Sequence, residues 1–287
     1  MTESLRAALD FSLIVLASSA PVLFAALGAL VTEYAGVLAV FMDGAITLSG
    51  FLCVALAMAT GNPVAGFALS AAIVVLLMGL IAVFTEKTGA NPFLTGLAVN
   101  FLSQGLTSFL SVAFFGTRGV IPLESAGVGH WSGTFPAVPA AFLLVPLLSL
   151  LLRHTSPGII LRVTGSAPAL LVSRGIRPSR YRTLSWCVAA LFASCAGATL
   201  AYNLGAFTPG LSAGRGWTAL AAVYLGYKKP FPVALAVIVF AAANHVSNGL
   251  QGAGAVPATV ILGLPYALAL VAFILIPAKI ANAPGSS

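Results

Sequence analysis

Thr183-Leu-Ser-Trp-Cys-Val-Ala-Ala-Leu-Phe-Ala-Ser-Cys-Ala-Gly-Ala-Thr-Leu-Ala-Tyr-Asn-Leu-Gly205 runs for 23 residues without a charge, and the stretch before it, Arg153–Arg182, carries six arginines and no acid. At 1.5 Å per residue such a run spans the roughly 30 Å hydrocarbon core of a bilayer. An apolar run flanked by a basic block reads as a membrane span with a cytoplasmic border. Inside the run, Ala189, Ala193, Gly197, Ala201 and Gly205 recur every four residues. That spacing either aligns small side chains on one face, so that a neighbouring helix backbone can approach, or marks a span merely rich in Ala and Gly.

The rest of the chain has the same character. Of 287 residues, 60% are hydrophobic and 7% charged, against about a quarter charged in a soluble domain. Hydrocarbon must be the solvent for much of this surface. Breaks at Gly, Pro, Asn and charge clusters divide the chain into further spans. They are Phe11–Val31, Gly36–Ala59, a third from the Gly61-Asn62-Pro63 turn to Phe84, Phe93–Phe115, Pro136–Leu152, Phe231–Leu250 and Pro257–Pro277. A shorter apolar stretch, Trp217–Tyr227, lies between Thr208-Pro209-Gly210 and Lys228-Lys229-Pro230 and is either a short span or a re-entrant one. The expected fold is all-α and polytopic, with about nine transmembrane helices including short or broken segments. It forms a single membrane domain over residues 1–287, with a cytoplasmic loop at 153–182. The run after Phe11 lacks a basic leader and reads as the first span rather than a signal peptide.

The charges orient the spans. Nine crossings with the arginine block inside place Lys87, the six loop arginines, Lys228, Lys229 and Lys279 inside, and only Arg6, Arg118 and Arg215 outside. The amino terminus is therefore expected outside and the carboxyl terminus inside. The net charge of +7 reflects these loops rather than nucleic-acid binding. Cys53, Cys187 and Cys195 lie in apolar segments and read as buried thiols.

Catalysis finds little support. His130, His154 and His245 are far apart, and neither a His-Glu-x-x-His metal motif nor a Gly-x-Ser-x-Gly nucleophile turn is present. His245, near Asn244, Ser247 and Asn248, suits polar bonding between helices better than turnover. None of the four lysines follows a glycine, so the phosphate-binding Gly-Lys-Ser/Thr loop is missing. Any ATP drive must come from another subunit. An ion gradient would need intramembrane carboxylates. Asp43 is the only acid well inside an expected span, and it either caps or braces a broken helix or takes part in transport. Within the basic stretch, Pro168–Arg174 has Pro early and Gly175 just past its end, the punctuation of a short helix. Such a helix either docks on a soluble partner or contacts lipid head groups.

This stretch resembles the coupling loop of bacterial ABC permeases of the ribose/branched-chain amino-acid superfamily. Leu161, Arg162, Gly165, Ala169, Gly175 and Ile176 carry the likeness, while Ser166-Ala167-Pro168 and Leu170 depart from it. Residues 26–50 are similar to an early family region whose usual Glu is Asp43 here. The block Ala213-Gly-Arg-Gly-Trp-Thr-Ala-Leu-Ala-Ala222 resembles the family's most specific motif. The likeness covers most of residues 20–275 and is nearest to the branch that pairs with basic-membrane-lipoprotein binding proteins, which carries nucleosides and, in a subset, riboflavin. The resemblance implies a bacterial inner-membrane permease without catalytic residues, metal or cofactor of its own, ATP and Mg being held by a partner ATPase. Its implied partners are a second permease, that ATPase and a periplasmic or lipid-anchored binding protein. Arg162, Gly165, Pro168, Ala169, Arg174, Gly175 and Ile176 are the expected coupling residues. Asp43, Asn100, Gln104, Asn203, Arg215, Trp217, Asn244 and Asn248 are the candidates for the substrate pathway, each of them equally suited to an interhelical or interfacial role. A gradient-driven transporter and, more remotely, an intramembrane enzyme are the alternatives.

Overall fold

The computed structural model describes residues 2–123 and 137–252. The expectations for Glu124, His130 and Trp131, and for the Pro257–Pro277 span with Lys279, lie outside the described residues. Ten helices are described: α1 Thr2–Tyr34, α2 Met42–Thr60, α3 Pro63–Thr88, α4 Pro92–Phe115, α5 Ala137–His154, α6 Ser156–Ser166, α7 Pro168–Ser173, α8 Pro178–Leu204, α9 Arg215–Leu225 and α10 Pro230–Gly252. Seven of them, α1 to α5, α8 and α10, are long and apolar enough to cross a membrane.

The turns between the first long helices follow from local chemistry. Gly61 and Gly89 end α2 and α3 in the left-handed region, at φ of 66° and 67°. The next residues restart the chain as helix. Asn62 accepts hydrogen bonds from the Val64 and Ala65 amides with Pro63 following, and Asn91 accepts from Phe93 with Pro92 following. A side-chain acceptor satisfies an otherwise orphaned amide, and proline fixes φ where no amide is needed.

Helix α8 is the centre of the bundle and packs on α1, α2 and α3. Its small-residue stripe makes this possible. Ala189, Ala193 and Ala201 are fully buried, and an added Cβ on Gly197 would lie 2.5 Å from the Ile46 carbonyl oxygen on α2. The backbones are close enough that the Ser49 hydroxyl donates to the Ala193 carbonyl at 3.2 Å, and that of Ser70 on α3 donates to the Ser49 carbonyl at 3.0 Å. In hydrocarbon, where apolar burial drives little, such close packing and interhelical bonding hold helices together. The outward faces of α3 and α4 expose Leu76, Leu80, Phe84, Phe101, Phe109 and Phe114, as lipid or another membrane subunit requires.

Two features differ from the sequence expectation, and a third, the short apolar stretch, was left open by it. The basic stretch 153–182 is largely helical, containing α6, α7 and the first turns of α8, which starts at Pro178 rather than Thr183. The second span begins as helix at Met42, and residues 35–41 before it are unwound, turned by Gly36 at φ 77°. The short apolar stretch is α9, 11 residues long, or about 16 Å, half the bilayer core. It is entered through the non-helical segment 205–214. There Ala206-Phe207 (β2) pairs antiparallel with Ile121-Pro122 (β1), and Leu211 packs beside Gly50. The stretch is therefore broken, a turn-rich lead-in followed by a half-length helix.

Candidate functional site: a broken-helix junction and the basic end of the bundle

The junction lies where α2 and α9 both begin. An added Cβ on Gly216 would lie 2.7 Å from the Asp43 Cα, so only a glycine lets the two helix starts touch. The Asp43 carboxylate, 8% exposed, accepts the Gly216 amide at 3.1 Å. It thus supplies the cap that α9 lacks at Gly214. Two helix N-termini, each the positive end of a dipole, stabilise this buried charge. Arg215 donates to the Leu211 and Ser212 carbonyls, both at 3.2 Å. It satisfies backbone freed by the break, since a non-helical segment buried at membrane depth has no water to bond its carbonyls.

Asn100 braces the other break. Its side-chain oxygen accepts the Gly44 amide at 2.7 Å, and its Nδ2 donates to the Val40 carbonyl at 2.7 Å. Asn100 is eight residues into α4, about 12 Å from that helix's start. The junction therefore sits well inside the bundle. Of the pathway candidates, the structure brings Asp43, Asn100 and Arg215 together here, with Trp217, 43% exposed, next in α9. Gln104 is one turn further along α4. Asn203 is exposed in the last turn of α8, and Asn244 is exposed on α10, which packs on α1, α5 and α9. The side chain of Asn248 lies outside the described residues.

The far end of α9 is fixed as firmly. Tyr224 donates to Glu33 Oε1 at 2.6 Å, Lys228 Nζ lies 3.0 Å from the same oxygen, and the Tyr34 hydroxyl donates to the Lys228 carbonyl. Tyr227 and Lys228 both adopt positive φ, 52° and 55°, a conformation that costs each residue roughly 1–2 kcal/mol and that these bonds help to hold. Sequence reasoning missed this cluster: Glu33 and Tyr224 are 191 residues apart, and nothing local to either announces the other.

The basic end completes the arrangement. In α6, Thr155 caps the Gly158 amide at 3.3 Å, and Gly165 packs on the α1–α2 turn. An added Cβ there would lie 2.5 Å from the Tyr34 carbonyl oxygen and 2.8 Å from the Gly36 amide nitrogen. Pro168 opens α7, Arg174 ends it, and Gly175, at φ 74°, turns the chain so that the Ile176 amide donates to Leu171 at 2.9 Å. Leu171 is buried, whereas Leu170, Val172, Ala169, Arg162 and Arg174 are exposed. A cavity of about 460 Å³ opens beside α7 between Pro168, Val172, Arg177, Glu86 and Arg182. Its floor is braced by an Arg182–Glu86 pair at 3.7 Å.

The polytopic bundle thus has a broken-helix junction inside it and, at one end, two short helices with Arg162 and Arg174 exposed on or beside them. The chain belongs to the branched-chain amino acid transport system / permease component family, whose pattern matches residues 11–278. It is a multi-pass ABC transporter permease subunit, with relatives in nucleoside and sugar uptake. It is 27% identical over 235 residues (76% of this chain, 70% of the relative) to TsgC13, a candidate glucose ABC transporter permease of Haloferax volcanii. It is 24% identical to the nucleoside ABC transporter permease NupC of Lactococcus lactis, covering 91% of this chain and 90% of that one. The guanosine ABC transporter permease NupQ of Bacillus subtilis is 25% identical, with 88% of each chain covered. Among solved structures, PsaBC from Streptococcus pneumoniae in complex with Fab has the same fold, with a TM-score of 0.55 at 14% identity over 96% of this chain and 97% of that one.

Proposed function

We propose that this chain is one of two permease subunits of an ATP-driven importer that carries a nucleoside-type solute inward by alternating access. The observation that carries the reading is α7. It is a short helix with exposed Leu170 and Val172, hung between α6 and α8 at the basic end, where a soluble partner can receive it. A separate ATPase binding ATP and Mg docks there, against Arg162, Pro168, Ala169, Arg174 and Ile176. Gly165 passes the movement to the α1–α2 turn, and Gly175 fixes the angle at which α7 leaves. The amino terminus lies outside and the basic end in the cytoplasm, in keeping with the charge bias. A lipid-anchored or periplasmic binding protein delivers solute from outside, and the second permease is a similar but distinct chain. Nucleosides are favoured because two relatives bear that specificity in their names. Riboflavin, a sugar-like chain on a flat heterocycle, has the same build.

The test is to purify the chain with its co-encoded partners and measure ATP hydrolysis in proteoliposomes with binding protein loaded from a panel of nucleosides, glucose and riboflavin. A nucleoside should stimulate hydrolysis most. Gly165→Leu, which drives a side chain into the Tyr34–Gly36 backbone, should abolish stimulation while leaving unstimulated hydrolysis. Uptake driven by a proton or sodium gradient with no ATPase present overturns the reading.

A further inference from the structure

Besides the junction and the basic end, the bundle has a second polar cleft, toward the end away from α7. It is a cavity of about 150 Å³, room for about five waters at roughly 30 Å³ each, and so for one small ring rather than a whole nucleoside. One wall is α4, contributing Gln104, Thr107, Ser108 and Ser111; α2 contributes Thr47, Arg118 follows α4, and the lead-in segment to α9 closes it at Phe207, Pro209 and Gly210.

The three buried hydroxyls here are of one kind. Thr47 donates to the Asp43 carbonyl at 3.1 Å, Thr107 to that of Ser103 at 2.8 Å and Ser111 to that of Thr107 at 2.7 Å. Each proton is spent on its own helix, so each oxygen offers the cleft only lone pairs. Gln104 and Ser108 make no side-chain hydrogen bond among the described residues. Polar groups left unpaired on a membrane-crossing helix face water or a polar solute, because hydrocarbon cannot satisfy them. None of the lining residues is acidic, so a cationic ligand finds no counter-charge, and Arg118 is the one charged residue in the lining. A phosphate or carboxylate drawn to Arg118 would still set acceptors against acceptors along the hydroxyl wall, whereas a neutral polyol can donate to that wall and accept from Arg118.

We propose that this cleft is the subsite for the sugar ring of the transported solute, whose O–H groups donate to Thr47, Thr107 and Ser111 while Gln104 and Ser108 complete the contacts. The assignment rests on the permease reading above. It makes the hydroxyl-bearing ring, rather than the base, the part that this chain recognises. Because the lead-in to α9 forms one wall, a bound ring touches the same segment that runs to the Asp43 junction.

The complete importer in proteoliposomes, with ATPase and binding protein, tests this by uptake of tritiated guanosine and 3′-deoxyguanosine. The binding protein is common to every variant, so the ratio of the two uptakes reports on the permease. Thr107→Val and Ser111→Ala should each lower kcat/KM for guanosine about three- to tenfold, the effect of one hydrogen bond, and the variant that loses the acceptor of the 3′-hydroxyl should lower that for the 3′-deoxy compound much less. Gln104→Leu changes an exposed side chain that makes no hydrogen bond among the described residues, and gives the same comparison should the hydroxyl variants fail to assemble. Equal loss for both probes in every variant, or no loss for either, overturns the sugar subsite. A wild-type importer that takes up neither probe above an ATPase-dead control overturns the nucleoside reading along with it.

Discussion

A buried carboxylate in a membrane span is costly unless hydrogen bonds and positive potential surround it. Asp43 has both, in the Gly216 amide and the two helix starts that meet at it. Its geometry is that of a cap supplied in trans, from α2 to α9. Asp43→Ala should therefore cost about 1–2 kcal/mol, or a few degrees of Tm at about 2–4 °C per kcal/mol. Asp43→Asn keeps an acceptor and should cost clearly less. Thermal unfolding of the detergent-purified subunit decides this, and equal losses in the two variants would sink the capping role. From sequence alone Asp43 was legible as a lone acid beside a glycine, fit either to brace a break or to serve transport. Its partner is 173 residues away and was not. Asn100 was legible as a polar residue in a span. That its amide is already committed to Gly44 and Val40 depends on an unwinding that the apolar run Val37-Leu-Ala-Val-Phe41 does nothing to advertise.

At the scale of elements, α9 is held at both ends, by Asp43 at its start and by Glu33 beyond its finish. Glu33 is the strained member of the second contact. Its side chain is 8% exposed and its Oε2 has no hydrogen-bond partner among the described residues. Removing the cation from such a pair costs more than removing both charges. Lys228→Met should thus destabilise the subunit and impair uptake, and adding Glu33→Gln, which still accepts from Tyr224, should recover part of both losses. A double variant worse than Lys228→Met alone would show that the pair does not couple α1 to α9. Elements whose ends are marked by short-range chemistry were readable in advance: the Asn62 and Asn91 starts, the Pro168 and Gly175 limits of α7, and the small-residue face of α8. The cleft on α4 was half readable. Gln104 was picked out, yet Ser103, Thr107, Ser108 and Ser111 continue the same three- and four-residue spacing from Asn100 and could have been found by it. The helicity of 156–166 was hidden because a polar, arginine-bearing stretch reads as loop when its packing against α1 and α5 is unknown.

For the whole molecule, the two ends of the bundle differ in charge. Contacts gather the basic residues at one end: Arg182 pairs with Glu86 at the foot of α3, and Lys228 pairs with Glu33 at the foot of α1. Arg174, Arg177 and Arg180 stand exposed on or beside α7. At the other end, Arg6 near the start of α1 and Arg118 beside the polar cleft are exposed cations. Each cation that must be carried across during insertion adds to the barrier, so the end with more of them stays on the synthesis side. Arg215, counted as external from the sequence, sits at the interior junction and adds nothing to either side of that balance, so the asymmetry is larger than the sequence count implied. Single cysteines at two exposed positions test it, in a variant whose Cys53, Cys187 and Cys195 are replaced. Ser173→Cys in α7 and Thr117→Cys beyond α4 are both exposed sites. A membrane-impermeant maleimide applied to intact cells should label Thr117→Cys and reach Ser173→Cys only after permeabilisation. The reverse pattern would place α7 outside, where no cytoplasmic ATPase could meet it, and would remove the physical basis of ATP-driven import by this chain.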